Sequence, residues 1–444
     1  MKFLIKWFLI ILAIGILYQC KKDEELHYAN ILDNNFLNEL IEQGIDIDGD
    51  LRISPSEAES VKSINVSHAE ISDLKGIEAF VNLESLDCSR NKLTALDVSK
   101  NKSLLILNCY ENNISELDVS ENALLKYLDC DINNINVLDI TENVNIEKLY
   151  CGANQLSELN VSNNKLLVEL SCSGNKLTNL DVSENTNLSI LRCSEMEGLN
   201  SLDVSTNASL TELNCGGNYI LALDVSHNLL LTTLYCDVNR LTTLDISKNT
   251  ALTSLDLGGN LVTELDVSQN KSLKYLNCEF NDLTEIDILE NVGLQELICH
   301  NNELSSLDIS KNADLEVLNC SGNELSTIDI SNNHLLRLLD CEWNLLTNLD
   351  ISNNTKLESL MCSANQLSCL DLSTNTNLNH VRCGTNLLTT LDITNNIDIF
   401  NLNVSNMPTL NKVCIWDIPS DAAFWTLLNT TGSPNVNFTT DCGE

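Results

Sequence analysis

Leu83-Glu84-Ser85-Leu86-Asp87-Cys88-Ser89-Arg90-Asn91-Lys92-Leu93 runs directly into Thr94-Ala95-Leu96-Asp97-Val98-Ser99-Lys100-Asn101. Both phrases return along most of the chain. A cysteine recurs every 21 residues from Cys88 to Cys193, shifts once by 22 to Cys215, and continues through Cys236, Cys278, Cys299, Cys320, Cys341 and Cys362 to Cys383. The one missing rung holds Leu257, so the slot accepts a purely apolar side chain and is predicted to be interior. Leu86 and Cys88 lie two apart, which puts both on one face of an extended strand. Asparagine stands three residues after fourteen of the fifteen rungs, and Met196 replaces it in the repeat with the extra residue. A stacked asparagine can satisfy turn backbone groups of neighbouring coils.

The pattern LxxLxCxxNxL followed by TxLDVSxN is the leucine-rich repeat signature with cysteine in a leucine position. The repeat length, the cysteine ladder and the LDVSxN half resemble the internalin family of bacterial surface proteins over roughly residues 61–411. The resemblance implies an attachment role, by analogy only. Val66 and Val404 extend the ladder by one rung at each end. The predicted fold is an α/β solenoid, mostly β, with one parallel sheet, about 17 coils, a helical N-terminal cap and a small C-terminal cap. The short second half of each repeat predicts turns or extended segments rather than helices there. The expected organisation is a signal peptide at 1–19, a lipid anchor and acidic tether at 20–32, an EF-hand-like helical cap at 33–62, the solenoid at 63–411 and a C-terminal cap at 412–444.

The net charge of −38 argues against nucleic acid and anionic membrane surfaces as partners. It favours basic protein patches or ligands bridged by divalent cations. Much of this charge is periodic, with an aspartate nine residues after nearly every rung and Asn160 as the exception. Stacked carboxylates repel unless each accepts hydrogen bonds or shares a cation. Bonding to turn amides is the expected role, and loose calcium binding is the alternative. Met1, Lys2 and Lys6 precede the apolar run Trp7–Leu17, and Leu17-Tyr18-Gln19-Cys20 sits where a bacterial lipobox would. Lys21-Lys22-Asp23-Glu24-Glu25 is similar to the acidic export tag of Bacteroidetes surface lipoproteins. These features imply a protein lipid-anchored through Cys20 on the outer-membrane surface.

Disulfides are usual outside the cell, yet parallel in-register neighbours keep Cβ atoms about 4.8 Å apart, wider than the roughly 3.8 Å a bridge needs. The ladder is therefore expected to be reduced and buried, and a linear row offers no tetrahedral metal set. Cys414 and Cys442 lie outside the ladder, flanking Trp416, Phe424, Trp425 and Phe438, and are expected to form one disulfide. Cys369 is expected to be a lone thiol.

Phe36, Leu37, Leu40 and Ile41 are spaced as on a helix, which Gly44 ends. Asp46, Asp48, Asp50, Ser54 and Glu57 then match EF-hand positions one, three, five, nine and twelve, with Leu51 where glycine belongs. Ser54-Pro55-Ser56-Glu57 is equally a capping box with proline at the first helical position. A possible calcium site and a metal-free cap both fit, and the family resemblance implies an EF-hand-like cap that has lost its metal.

Residues alternating with the leucine and cysteine face the concave surface of the sheet. Most are small or polar, such as Asp87, Ser89, Asn108, Ser171, Asn214, Gly216 and Asn319. Tyr110, Tyr127, Tyr150, Tyr235, Tyr275, Phe280, Ile298, His300, Leu338, Trp343 and Met361 are the exceptions, and exposed aromatics are enriched in binding interfaces. Folding back over the strand edge as packing is the alternative for Phe280 and Trp343. Of the six histidines, His300 and His380 share the face but stand about four rungs apart, about 19 Å. No glycine-rich phosphate loop or paired-carboxylate signature appears, so the chain is not expected to be an enzyme. The leading expectation is a surface lipoprotein binding a protein or glycan partner for adhesion. A stiff acidic spacer and a nutrient-capture lipoprotein of a glycan-uptake system are the alternatives.

Overall fold

The computed structural model of the protein describes residues 28–417 and 428–442, and shows a parallel β-solenoid of about 17 turns with very little helix. The leader, Cys20, Phe424 and Trp425 lie outside the described residues. Two compact units divide the chain, Met1–Ile146 and Glu147–Glu444.

In the first unit, Asp33 caps helix α1, Asn34–Glu42, by accepting from the Asn35 and Phe36 amides, and Phe36 and Leu40 are buried beneath it. Helix α2, Pro55–Ser60, starts at a complete capping box made by Ser54 and Glu57. The strands Ser63–Asn65, Ser85–Asp87, Ile106–Asn108 and Tyr127–Asp129 then stack in parallel, with Ile64, Leu86, Leu107 and Leu128 in register. In the second unit the same register runs from Leu149 in Lys148–Tyr150 to Leu402 in Asn401–Asn403. Each strand is short because the chain turns after every third residue of extended backbone.

The turn has one conformation throughout. The residue two after each ladder position takes a positive φ, whether it is Gly174, Gly217, Gly259 and Gly322 or a residue with a side chain such as Arg90, Val238, Phe280 or Trp343. The ladder asparagine follows and fastens the corner. Asn281 Nδ2 donates to the Leu257 carbonyl of the preceding coil at 3.1 Å, to Cys278 O at 3.2 Å and to Glu279 O at 3.0 Å. Its Oδ1 accepts the Val262 amide at 3.0 Å. Four hydrogen bonds thus tie two coils through one buried side chain. Where Met196 occupies this slot, its own amide donates to Asn218 of the next coil.

A second interior row is made by the last residue of LDVSxN. Asn291 Nδ2 donates to Val267 O at 3.0 Å and to Asn270 O at 2.8 Å, both in the preceding coil. Asn101, Asn122, Asn143 and their successors through Asn396 repeat this arrangement fully buried. Most of their Oδ1 atoms accept nothing, so the row is kept for its amide donors.

All fourteen ladder cysteines are buried and unbridged, and Cys369 is exposed and free. Burial pushes the Cys193 and Cys320 thiols up to about 12. Cys414 and Cys442 are bridged, with Cα atoms 5.7 Å apart. The C-terminal segment is more than a lid, because Leu428–Asn429 adds a strand to the main sheet beside Asn401–Asn403. Ser433 stands in for the ladder asparagine there, donating to Val404 O and accepting from the Met407 amide. Among the described residues no helix is long and apolar enough to cross a membrane.

Asn281→Ala removes the donors for three carbonyls and strands buried backbone groups, which should cost roughly 2–5 kcal/mol in urea unfolding; a loss below about 1 kcal/mol would contradict the fastening role. Alkylation of the native full chain with iodoacetamide, followed by peptide mapping, should modify Cys369 and spare the ladder. Denaturant should expose all fourteen ladder thiols, and native labelling of any of them would show that the row is not interior.

Candidate functional site

The outward residues of each strand form columns along the sheet, since strands are in register and about 4.8 Å apart. Tyr127 lies in the first unit, half-buried at the start of Tyr127–Asp129, and burial pushes its phenol up to about 12. The remaining candidate contact residues belong to the second unit. Tyr150 ends the strand Lys148–Tyr150 and hydrogen-bonds Glu169, which also pairs with Lys148 and Arg192.

Tyr235, Tyr275, Ile298 and Met361 are strand residues, all half-buried. Tyr235 is in register with Asp256, Asp256 with Asn277, and Asn277 with Ile298, so four consecutive coils meet in one column. The Tyr235 hydroxyl lies 3.1 Å from Ser254 Oγ. Tyr275 donates to Asp256 at 3.5 Å, and Asn277 Nδ2 donates to the same carboxylate oxygen at 3.2 Å. His300 Nε2 sits 2.5 Å from Glu279, and its ring packs edge-on against Phe280 with centroids 4.9 Å apart.

Phe280 and Trp343 are not on the sheet face itself. They occupy the left-handed corner at φ 48° and 53°, on the rim of the face, and are 55% and 69% exposed. The two-residue alternation stops one position after the cysteine, so their side chains leave the strand direction. Trp343 and Met361 stand two and three coils beyond His300. His300 and His380 do not converge, being separated by the strands Val317–Asn319, Leu338–Asp340 and Ser359–Met361.

Several carboxylates of this face were not singled out by periodicity. Burial holds the Asp237, Asp256 and Asp340 carboxyls above their ordinary range, with nearby carboxylates adding to the effect. A signal was present in the sequence: Gly216 and Gly258 interrupt their column where a side chain would collide with Asp237 or Glu279. The periodic aspartates behave oppositely. Asp308 Oδ1 accepts the Ser310 amide at 2.9 Å, and the serine at this position holds such carboxyls below their ordinary range. Each aspartate thus accepts a hydrogen bond within its own coil, so the row can stack without requiring a shared cation.

At the N-terminal cap, carboxylate oxygens of Asp46, Asp48 and Asp50 lie within 4.8 Å of one another, and these three residues could hold a metal ion. Glu57 faces the backbone: Oε1 accepts from the Ile47 and Asp48 amides, and Oε2 from the Ser54 amide and hydroxyl. Asp46 already accepts from the Gly49, Asp50 and Leu51 amides, while Ser54 Oγ serves the capping box. Leu51 takes a positive φ of 64° in the glycine position of the loop.

A solenoid of in-register three-residue strands, each closed by a left-handed corner and a buried asparagine, defines a leucine-rich repeat protein. The chain is 31% identical to the functional domain of InlJ from Listeria monocytogenes, which includes a cysteine ladder; 88% of this chain and 83% of that one are covered, with a TM-score of 0.69. The protein belongs to this internalin family. It also shares its fold with the leucine-rich repeat protein LIC12759 of Leptospira interrogans, at 24% identity over 70% of this chain and 92% of that one, TM-score 0.63. The ectodomain of the Arabidopsis receptor kinase HAESA, solved with an IDA peptide hormone ligand, matches at 19% identity over 85% and 75% of the two chains, TM-score 0.63. No family model and no curated protein matches the chain.

Glu57→Gln tests the cap. Its carboxyl is held below the ordinary range, chiefly by hydrogen bonds from the Ser54 amide and hydroxyl. A depressed folded-state pKa adds stability that is present above the unfolded value and is lost as pH falls through the folded one. The variant should therefore melt below wild type at neutral pH, by about 1 kcal/mol of capping energy, and the gap should close on acidification below that range. A gap that persists at low pH would mean the carboxylate does not cap.

Proposed function

We propose that the protein is a non-enzymatic recognition protein of the cell surface, holding a protein partner on the sheet face and rim of its second unit. The observation that carries this is the placement of Phe280 and Trp343. A bulky side chain in a left-handed corner costs about 1–2 kcal/mol, and burial does not compensate it here because both rings are largely exposed. Glycine fills the same corner at four other coils of this unit without that cost. Strained, exposed aromatics beside the half-buried Tyr235, Tyr275, Ile298, His300 and Met361 fit a contact surface, where large rigid side chains supply most binding energy.

Kinship with InlJ and the peptide-bound HAESA ectodomain support a protein or peptide as partner rather than a small substrate. A glycan would use the same tyrosines and is the second candidate ligand. The leader and Cys20 support display on an outer membrane through a lipid. The hydrogen bonds already made by Glu57 and Asp46 support a cap that needs no calcium.

The test is Phe280→Gly/Trp343→Gly in the full chain. Glycine relieves the corner while adding chain entropy, so stability should change by no more than about 1 kcal/mol. Binding to protein and glycan arrays, and to whole cells, should drop by at least about tenfold, as expected for loss of interface anchors. Unchanged binding would reject the rim as the contact surface. Fatty-acid labelling that survives Cys20→Ala would reject the anchor.

A further inference from the structure

The carboxylates of the sheet face fall into two groups within the second unit. In its first coils they are neutralised internally: Glu169 pairs with Lys148 at 3.1 Å and with Arg192 at 3.0 Å, and Arg192 reaches Glu212 at 2.7 Å. Further along, the same face carries Asp237, Asp256, Glu279, Glu296, Asp340 and Glu342. Among the described residues, no lysine or arginine forms a salt bridge with any of these six; His300 pairs with Glu279, while His300 and Arg382 act on Asp340, and His380 on Glu342, only at longer range. Asp237, Asp256 and Asp340 are also partly withdrawn from water, so each carries a desolvation cost that an added counter-charge would offset.

Two further observations give this stretch the shape and chemistry of a docking face. Gly216 and Gly258 make room for the Asp237 and Glu279 side chains to lie along the face, since a Cβ at 258 would lie 2.9 Å from Glu279 Cγ. Along the adjoining rim, the corner residues Val238, Phe280 and Trp343 are exposed apolar side chains. A floor of carboxylates that no lysine or arginine neutralises, beside an apolar rim, complements one kind of partner.

We propose that the sheet face between the coils of Tyr235 and Trp343 docks an extended polypeptide segment in which lysine or arginine alternates with large apolar side chains. The cations meet Asp237, Asp256 and Glu279, and the apolar groups lie on Phe280 and Trp343. This rests on the reading of the face as a recognition surface and adds the chemistry of its partner. Five coil steps of about 4.8 Å span about 24 Å, the reach of about seven extended residues. A divalent cation fits less well, because the carboxylates are spread one coil apart, and among the described residues only Asp46, Asp48 and Asp50 gather three acidic ligand atoms. A neutral glycan would leave the carboxylates unpaired, and a nucleic acid would be repelled.

The probe is a fluorescein-labelled heptapeptide of alternating lysine and leucine, titrated by anisotropy against the full chain at low and physiological ionic strength. Saturable binding is expected, weakened at least about tenfold in Asp237→Asn/Asp256→Asn/Glu279→Gln, as loss of complementary charge implies. Glu285→Gln/Glu303→Gln/Glu324→Gln removes the same charge from exposed positions off the face and should bind as wild type. Asp237→Asn/Asp256→Asn alone should also bind more weakly and yet melt at or above wild type at neutral pH, because burial raises these two carboxyl pKa values, so their ionisation opposes folding; this separates lost binding from lost folding. Absent binding, or equal weakening in the triple face variant and the off-face variant, overturns the proposal. If Phe280→Gly/Trp343→Gly abolishes recognition of the cell-surface target while the face variant recognises it normally, the basic segment is wrong and the recognition face stands. If neither variant changes target recognition, both readings fail.

Discussion

Nearly every coil of this protein depends on one asparagine whose amide serves two coils at once. A chain that turns every few residues must bury corner carbonyls and amides that no neighbouring strand can reach, and an unpaired buried backbone group is costly. The Asn281 type of contact answers this with donors to the cysteine-slot carbonyls of both coils and an acceptor for an amide of the preceding one. Asn291 and its row do the same on the opposite side of the coil, using donors alone. The cysteines can then be small, apolar and unbridged, because they need only fill space between the leucines.

That internal regularity frees the outward positions. Interior columns admit few side chains, whereas the sheet face and its rim vary from coil to coil. The first coils of the second unit use the freedom to pair their own charges through Lys148, Glu169, Arg192 and Glu212. The later coils leave Asp237, Asp256 and Glu296 without a lysine or arginine partner and hold Phe280 and Trp343 in strained corners. Side chains fill left-handed corners elsewhere too, as at Ile132 and Thr385, so what marks this neighbourhood is that exposed aromatic corners and carboxylates without a lysine or arginine partner occur together there.

The periodic aspartates show how charge alone misleads. Their stacking on a chain of net charge −38 invites a cation, yet these carboxylates accept from the residue two positions on, a serine or threonine at Asp118 with Ser120 and Asp139 with Thr141 and the Leu289 amide at Asp287. The acidic loop at the cap is similar in kind, since Glu57 serves backbone amides of its own loop and helix. Short-range hydrogen bonds give the carboxylates partners in both cases without requiring a cation.

The strict repeat alone determined the solenoid, the inward cysteine row, the ladder asparagines and the outward alternation of Tyr235, Tyr275 and Ile298. A period of about 21 residues admits only a stacked coil, and strand geometry then dictates which side chains share a face. The tertiary structure decided what the period cannot encode. It placed Phe280 and Trp343 on the rim, because a left-handed corner breaks the alternation one residue beyond the cysteine. It buried the LDVSxN asparagines and made Leu428–Asn429 a further strand. It also separated the neutralised carboxylates from those without a lysine or arginine partner, since pairing depends on which coils stack and on distances across them, and sequence spacing gives neither.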